Sequence, residues 1–116
     1  MDTHDNASET VSVGEAARFL AEQLGPKLVA ITIGSDSASV EAWARREAKP
    51  HPAEERRLRI AYGLWHFVSS VESHAMVRVW WMGMKDGLDD LSPAEAIAAG
   101  RESDVQAVAR SFVEGG

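Results

Sequence analysis

Glycine and proline interrupt this chain so often that only short regular elements fit between them. Gly25-Pro26, Gly34, Pro50, Pro52, Gly83, Gly87, Pro93 and Gly100 punctuate it from end to end. Proline cannot continue a helix interior, and glycine ends a helix at little cost because it accepts left-handed backbone. Between these breaks the apolar residues recur at three- and four-residue spacing, the signature of helices with one buried face. Val13, Ala17, Leu20 and Leu24 form such a stripe after Ser12-Val13-Gly14-Glu15, which has the spacing of a capping box. Pro26 opens a second, short helix with Val29, Ala30 and Ile33, stopped by Gly34. Val40, Trp43 and Ala44 make a third, closed by "AKPHP". A fourth runs from Pro52 to about Ser70, with Glu54 and Glu55 in the first turn and Leu58, Ala61, Tyr62 and Trp65 on its inner side. Val77, Trp80, Trp81 and Met84 are the expected stripe of a fifth. Ser92-Pro93-Ala94-Glu95 joins an N-cap, a first-turn proline and a capping-box glutamate, with Gly100 as the stop. A last helix from about Glu102 is expected to bury Val105, Val108, Ala109 and Phe112. "VAITI", Val29 to Ile33, is β-branched, but five residues between a proline and a glycine do not make a case for a sheet. The expectation is an all-α fold.

A chain of 116 residues, 45 % hydrophobic, can bury one core, divided at most between two small subdomains. The expected division is a polar, disordered tail over 1–10, one unit over 11–70 and another over 71–116. The absence of cysteine removes disulfide frameworks and thiolate chemistry. "MDTHDNASET" has neither the basic start nor the apolar run of a signal peptide, and no later apolar run has the length of a membrane span. A cytoplasmic protein without membrane contact is expected. A formal net charge of −6 repels nucleic acid, so any DNA contact must rest on a local basic face.

The second and third helices have the spacing of a helix-turn-helix. Such a unit needs a small residue at the helix crossing, a glycine four positions later for the turn, and bulky apolar residues inside the second helix. Ala30, Gly34, Val40 and Trp43 occupy those places. "SVEAWARREAKP" resembles the end of the recognition helix in Xre-type helix-turn-helix proteins. On a DNA face the candidate contacts are Ser37 and Ser39 near the helix start and Arg45, Arg46 and Lys49 at its end. Asp36 and Glu41 share that face and oppose a phosphate backbone. Lys27, Arg56, Arg57 and Arg59 are further phosphate candidates, unless they form a solvated surface balanced by Glu47, Glu54 and Glu55.

No catalytic pattern competes. His4, His51, His66 and His74 lack metal-ligand spacing, and Asp86, Asp89 and Asp90 lack the alternating ligands and central glycine of a calcium loop. Neither a nucleophile elbow nor a phosphate-binding or dinucleotide fingerprint is present. An enzyme, a metal and a cofactor are therefore not expected.

Trp80 and Trp81 are consecutive, so on a helix they point about 100° apart. One suits the core, and the other suits either the core or a partner. The order Ala61-Tyr62, Val79-Trp80, Leu88, Ser92-Pro93, Gly100 and a final apolar helix resembles the C-terminal domain of Xre/MbcA/ParS-type antitoxins, which neutralise RES-domain toxins. With the helix-turn-helix ahead of it, the resemblance extends over nearly the whole chain after Thr10. It implies an N-terminal Xre-like helix-turn-helix bundle followed by a small helical toxin-binding domain. It also implies a cognate RES-domain toxin as partner, an enzyme that consumes NAD or uses it for ADP-ribosylation and whose active site this chain would cover. Operator DNA and self-association, as a homo-oligomer or a hetero-oligomer with the toxin, are further implied partnerships. The chain departs from the pattern at Arg46, where Xre-type units often have the glycine that ends the recognition helix. An inhibitor interface needs apolar anchors with a polar surround, and Trp81, Met84 and Leu88 beside three acids fit that need. Arg101, Asp104, Arg110, Phe112, Val113 and Glu114 on the last helix and tail are the residues expected nearest the toxin's nucleotide site. A stand-alone regulator that dimerises through its C-terminal helices, and a small adaptor, are the alternatives.

Overall fold

The structure, a computed structural model, describes residues 11–115. The tail expected over 1–10 lies outside the described residues. Among those described, the chain forms seven α-helices and one 3-10 turn, with no strand: α1 (Val13–Leu24), α2 (Pro26–Ile33), α3 (Ser37–Ala44), α4 (Pro52–Ser69), α5 (His74–Met82), the 3-10 turn Asp86–Leu88, α6 (Pro93–Ala98) and α7 (Glu102–Val113). The all-α class follows. No helix of the described residues is long and apolar enough to cross a membrane.

Local chemistry accounts for the boundaries. Ser12 Oγ accepts the Glu15 amide at 3.1 Å while Glu15 Oε1 accepts the Ser12 amide at 3.3 Å, closing both ends of a capping box on α1. The same reciprocal pair recurs at α6, where Ser92 and Glu95 bond at 3.1 and 2.9 Å. At α4 the capping residue is His51, whose Nδ1 accepts the Glu54 amide. Gly34 closes α2 in left-handed backbone, φ +81, with its amide on the Ala30 carbonyl at 2.8 Å. The β-branched run of α2 is helical because Val29, Thr32 and Ile33 are all buried there, and packing outweighs intrinsic preference in so short an element.

α3 ends without a glycine. Arg46 takes the left-handed conformation itself, φ 63, while its amide bonds the Trp43 carbonyl and the Glu47 amide bonds the Ala42 carbonyl. Its stem lies over Gly14, where an added Cβ would stand 2.9 Å from Arg46 Cγ. Its guanidinium reaches Ser12 Oγ at 3.4 Å and Glu15 at 3.9 Å.

One continuous core runs from Ala16 on α1 to Ala109 on α7. The segments expected to divide near residue 70 meet at a turn there and share that core. α2 packs on α6, and α4 on α7. The Trp81 indole N–H of α5 donates to Thr32 Oγ1 of α2 at 3.1 Å, and Thr32 Oγ1 donates to the Leu28 carbonyl at 2.8 Å. Trp65, Trp81, Trp80 and Phe112 form a chain of ring contacts with centroids 5.8–6.3 Å apart.

Two expectations need correction here. The stripe of α5 does not extend to Met84, because the helix stops at Met82 and Met84 projects from the following loop. On α7, Val105 and Ala109 are buried, whereas Val108 and Phe112 are only half-buried.

Candidate functional site

α5 is the least ordinary helix of the protein. Of its nine residues only His74 and Arg78 are polar. Val77, Trp80 and Trp81 turn one side into the core. Met76, Val79 and Met82, three residues apart, lie on the opposite side and are 49, 58 and 55 % exposed. Steps of three residues drift by only about 60° around a helix, so these side chains share one face. Beside the exposed His74 and Arg78, these three give the outer side an apolar surface of a kind normally turned toward a core or a partner. Met84 extends the exposed apolar surface just past the helix end, at 75 % exposure. Methionine suits such a face, since its flexible, polarisable side chain adapts to a partner's contours. The three-residue recurrence at 76, 79 and 82 is visible in the sequence, but the buried stripe beside it carries the same kind of residue and masks it.

The loop after α5 is held rigidly. Lys85 donates its amide to the Leu91 carbonyl and accepts from the amides of Leu88 and Asp90. Its ammonium lies over the Trp80 ring, 5.4 Å from the centroid, and partial burial pulls its pKa below the usual lysine range. Asp89 and Asp90 turn the chain through left-handed backbone, φ 55 and 67. Arg101 clamps this loop from the start of α7, donating to the Leu88 carbonyl at 3.2 Å and pairing with Asp89 and Asp104 at 3.1 Å.

Against this geometry the candidate partner-binding residues separate. Trp81 and Leu88 are 0 % exposed and belong to the core, not to a surface anchor. Trp81 is drawn inward by its Thr32 partner, and Leu88 by the loop that Arg101 pins. Trp80 is buried as well, so neither tryptophan is presented to solvent. Arg101 and Asp104 come together, but as partners of each other. Met84, Arg110 and Glu114 are exposed, and Phe112 and Val113 half-buried, with Phe112 against Trp80.

The basic residues also separate. Arg57 donates to the Ile33 carbonyl at 2.8 Å and so caps α2; Arg59 bonds the Val11 carbonyl and Glu55; Arg56 pairs with Glu102 at 2.7 Å. All three work within the fold. Arg45 and Lys49 are exposed past the end of α3, with Arg45 3.2 Å from Glu47. Ser37 and Ser39 lie half-buried at its start, where Asp36 accepts the Ser39 amide at 2.8 Å. That bond holds the Asp36 carboxyl below its ordinary pKa, so the carboxylate stays charged on this face. The eight residues of α3 separate the serines from the arginines by about 12 Å.

His66 stacks on Phe19 with centroids 5.0 Å apart, while His74 meets the Trp65 edge-on. Burial, and secondarily the neighbouring His74, lowers the His66 pKa. No cluster of three or more potential metal ligands occurs among the described residues. Comparison with models of known protein families, with curated proteins and with solved structures returns no match.

Proposed function

We propose that this protein is an antitoxin that binds a RES-domain, NAD-consuming toxin and covers its active site. The observation that carries the reading is the outer face of α5. Met76, Val79 and Met82, continued by Met84, offer an apolar anchor surface on a helix whose other side is already committed to the core. In this reading the α5 face docks the toxin. Arg110, Phe112, Val113 and Glu114 at the end of α7 extend the contact toward the nucleotide site, and Arg101 with Asp104 holds the intervening loop in shape. The chain acts by occlusion and needs no chemistry of its own.

An operator-binding role is the second reading, and the backbone at Arg46 favours it. The left-handed residue that ends α3 stands where the family it resembles often has glycine. Arg45, Arg46 and Lys49 would then touch phosphates, with Ser37 and Ser39 near base edges and Asp36 and Glu41 limiting affinity. Mobility shifts on the protein's own promoter, with and without the partner, test it; absence of a salt-sensitive shift at low salt retires it.

The test of the main reading is a toxicity rescue. The adjoining reading frame is expressed alone and together with this protein while growth and cellular NAD are followed. Growth arrest with NAD loss, reversed by this protein, is the expected result. A harmless neighbour, or an arrest that this protein does not relieve, overturns the reading.

A further inference from the structure

Sulfur in this chain is confined to methionine, since no cysteine is present. Three of the four methionines, Met76, Met82 and Met84, are exposed on the outer face of α5 and just past its end. The fourth, Met1, lies outside the described residues. None of the three belongs to the core, whose buried side chains are alanine, valine, leucine, isoleucine and tryptophan. The indole is the other readily oxidised side chain here, and Trp43, Trp65, Trp80 and Trp81 are all buried. Ease of oxidation and access to solvent therefore coincide on one face.

The chemistry is an oxygen transfer. A thioether sulfur gives an electron pair to the terminal oxygen of a hydroperoxide, and the S–O bond forms as the O–O bond breaks. Sulfur is oxidised by two electrons, and the other oxygen leaves as water or an alcohol carrying the hydroperoxide's proton. The product has a polar sulfoxide, a hydrogen-bond acceptor, in place of an apolar thioether. Within a core that change disrupts packing, but these three side chains project from the fold. Met76 and Met82 stand three residues to either side of Val79, so their oxidation leaves the valine as the one apolar side chain of that exposed row.

We infer that Met76, Met82 and Met84 form one oxidation site, at which hydroperoxides turn the outer face of α5 from apolar to polar while the fold stays intact. Methionine sulfoxide reductases reverse the change: a dithiol becomes a disulfide, the oxygen leaves as water and the thioether returns. The site itself needs no partner. Its consequence for a partner rests on the docking role proposed for α5. An apolar surface seated on the oxidised face would bury sulfoxide oxygens without donors, which is unfavourable, so oxidation releases it.

The experiment titrates the full-length protein with hydrogen peroxide, beside a Met76→Leu/Met82→Leu/Met84→Leu variant that keeps the face apolar without sulfur. Peptide mass spectrometry locates the added oxygen, hydrophobic-interaction chromatography reads the surface, and thermal melting reads the core. All three residues are expected to oxidise at rates comparable to N-acetylmethionine amide. Retention of the wild type should fall and then recover with the two reductases, one for each sulfoxide epimer, while the leucine variant keeps its retention. The melting temperature should move by less than about 4 °C. Oxidation of any of the three more than about tenfold slower than the free derivative, an equal retention loss in the leucine variant, or loss of cooperative melting would overturn the inference. Copurification with the product of the adjoining reading frame separates it from the docking role, since oxidation should weaken that complex by at least about tenfold. A complex that Val79→Asp/Met82→Asp loses but full oxidation spares overturns the inferred release and not the docking role. A wild type that forms no complex overturns the docking role, and the oxidation site is then decided by the mass map and the retention.

Discussion

Replacing Thr32 by valine removes one hydroxyl and almost no volume, at the point where the two halves of the chain are joined. The Trp81 indole N–H, on a residue 0 % exposed, donates to Thr32 Oγ1 at 3.1 Å, and Thr32 is itself 0 % exposed. Valine leaves that N–H buried without a partner, which costs about 1–3 kcal/mol. The Leu28 carbonyl also loses a donor, but as a helix carbonyl facing the amide four residues on it keeps its main bond. With a urea slope of about 2 kcal/mol per molar, in the middle of the range for small domains, the unfolding midpoint should fall by roughly 0.5–1.5 M. The direct assay is urea unfolding of the wild type, Thr32→Val, Trp81→Phe and the double variant, followed by far-ultraviolet circular dichroism so that loss of a tryptophan does not alter the signal. Because the unpaired donor disappears with the indole, Trp81→Phe should cost about 1 kcal/mol less, or better, in the valine background than in the wild type. A Thr32→Val midpoint indistinguishable from wild type, or additive costs in the double variant, would refute the buried bond as the link between α2 and α5.

Leu88→Ala should destabilise by about 2–5 kcal/mol, whereas Met84→Ser should change stability by less than about 0.5 kcal/mol; urea midpoints distinguish a core leucine from an exposed methionine. Arg46→Gly and Arg46→Ala both delete the side-chain contacts, but only alanine keeps a Cβ in left-handed backbone, so the glycine variant should be the more stable by about 1 kcal/mol. His66 has a folded pKa below its ordinary 6.5, so as pH falls the unfolded chain takes up the proton first. Its contribution is therefore held above about pH 6.5 and lost as pH drops through the interval down to the folded value; the melting temperature should fall more between pH 7 and pH 5 in the wild type than in His66→Gln.

What was legible in the sequence was what is decided within a few residues. Ser92, Pro93 and Glu95 determine a helix start through their own side chains, and Gly34 a helix stop through its own backbone freedom. The tryptophan pair was not legible, because periodicity gives the direction of a stripe and not what covers it. Both rings are buried since Thr32, 49 residues away, waits for one and Phe112 packs on the other. Leu88 looked like a surface anchor because its neighbours are acids, but Arg101 folds those acids into a clamp with the leucine beneath. Arg56, Arg57 and Arg59 looked like a phosphate-binding run, yet Glu102, the Ile33 carbonyl and the Val11 carbonyl take them up, and all three partners are distant in sequence. The left-handed turn after α3 was hidden because an arginine, not a glycine, makes it. Finally, the outer face of α5 uses the same residue types as its inner face, so only the fold separates Met76, Val79 and Met82 from Val77, Trp80 and Trp81.

The measurement that bears most directly on the account is copurification of this protein with the product of the adjoining reading frame, wild type against the Val79→Asp/Met82→Asp variant. Both positions are exposed, at 58 and 55 %, so circular dichroism should show unchanged helicity. A stable complex with the wild type and its loss with the charged α5 face are the expected results. A variant that copurifies as well as the wild type, or a wild type that forms no complex, would contradict them.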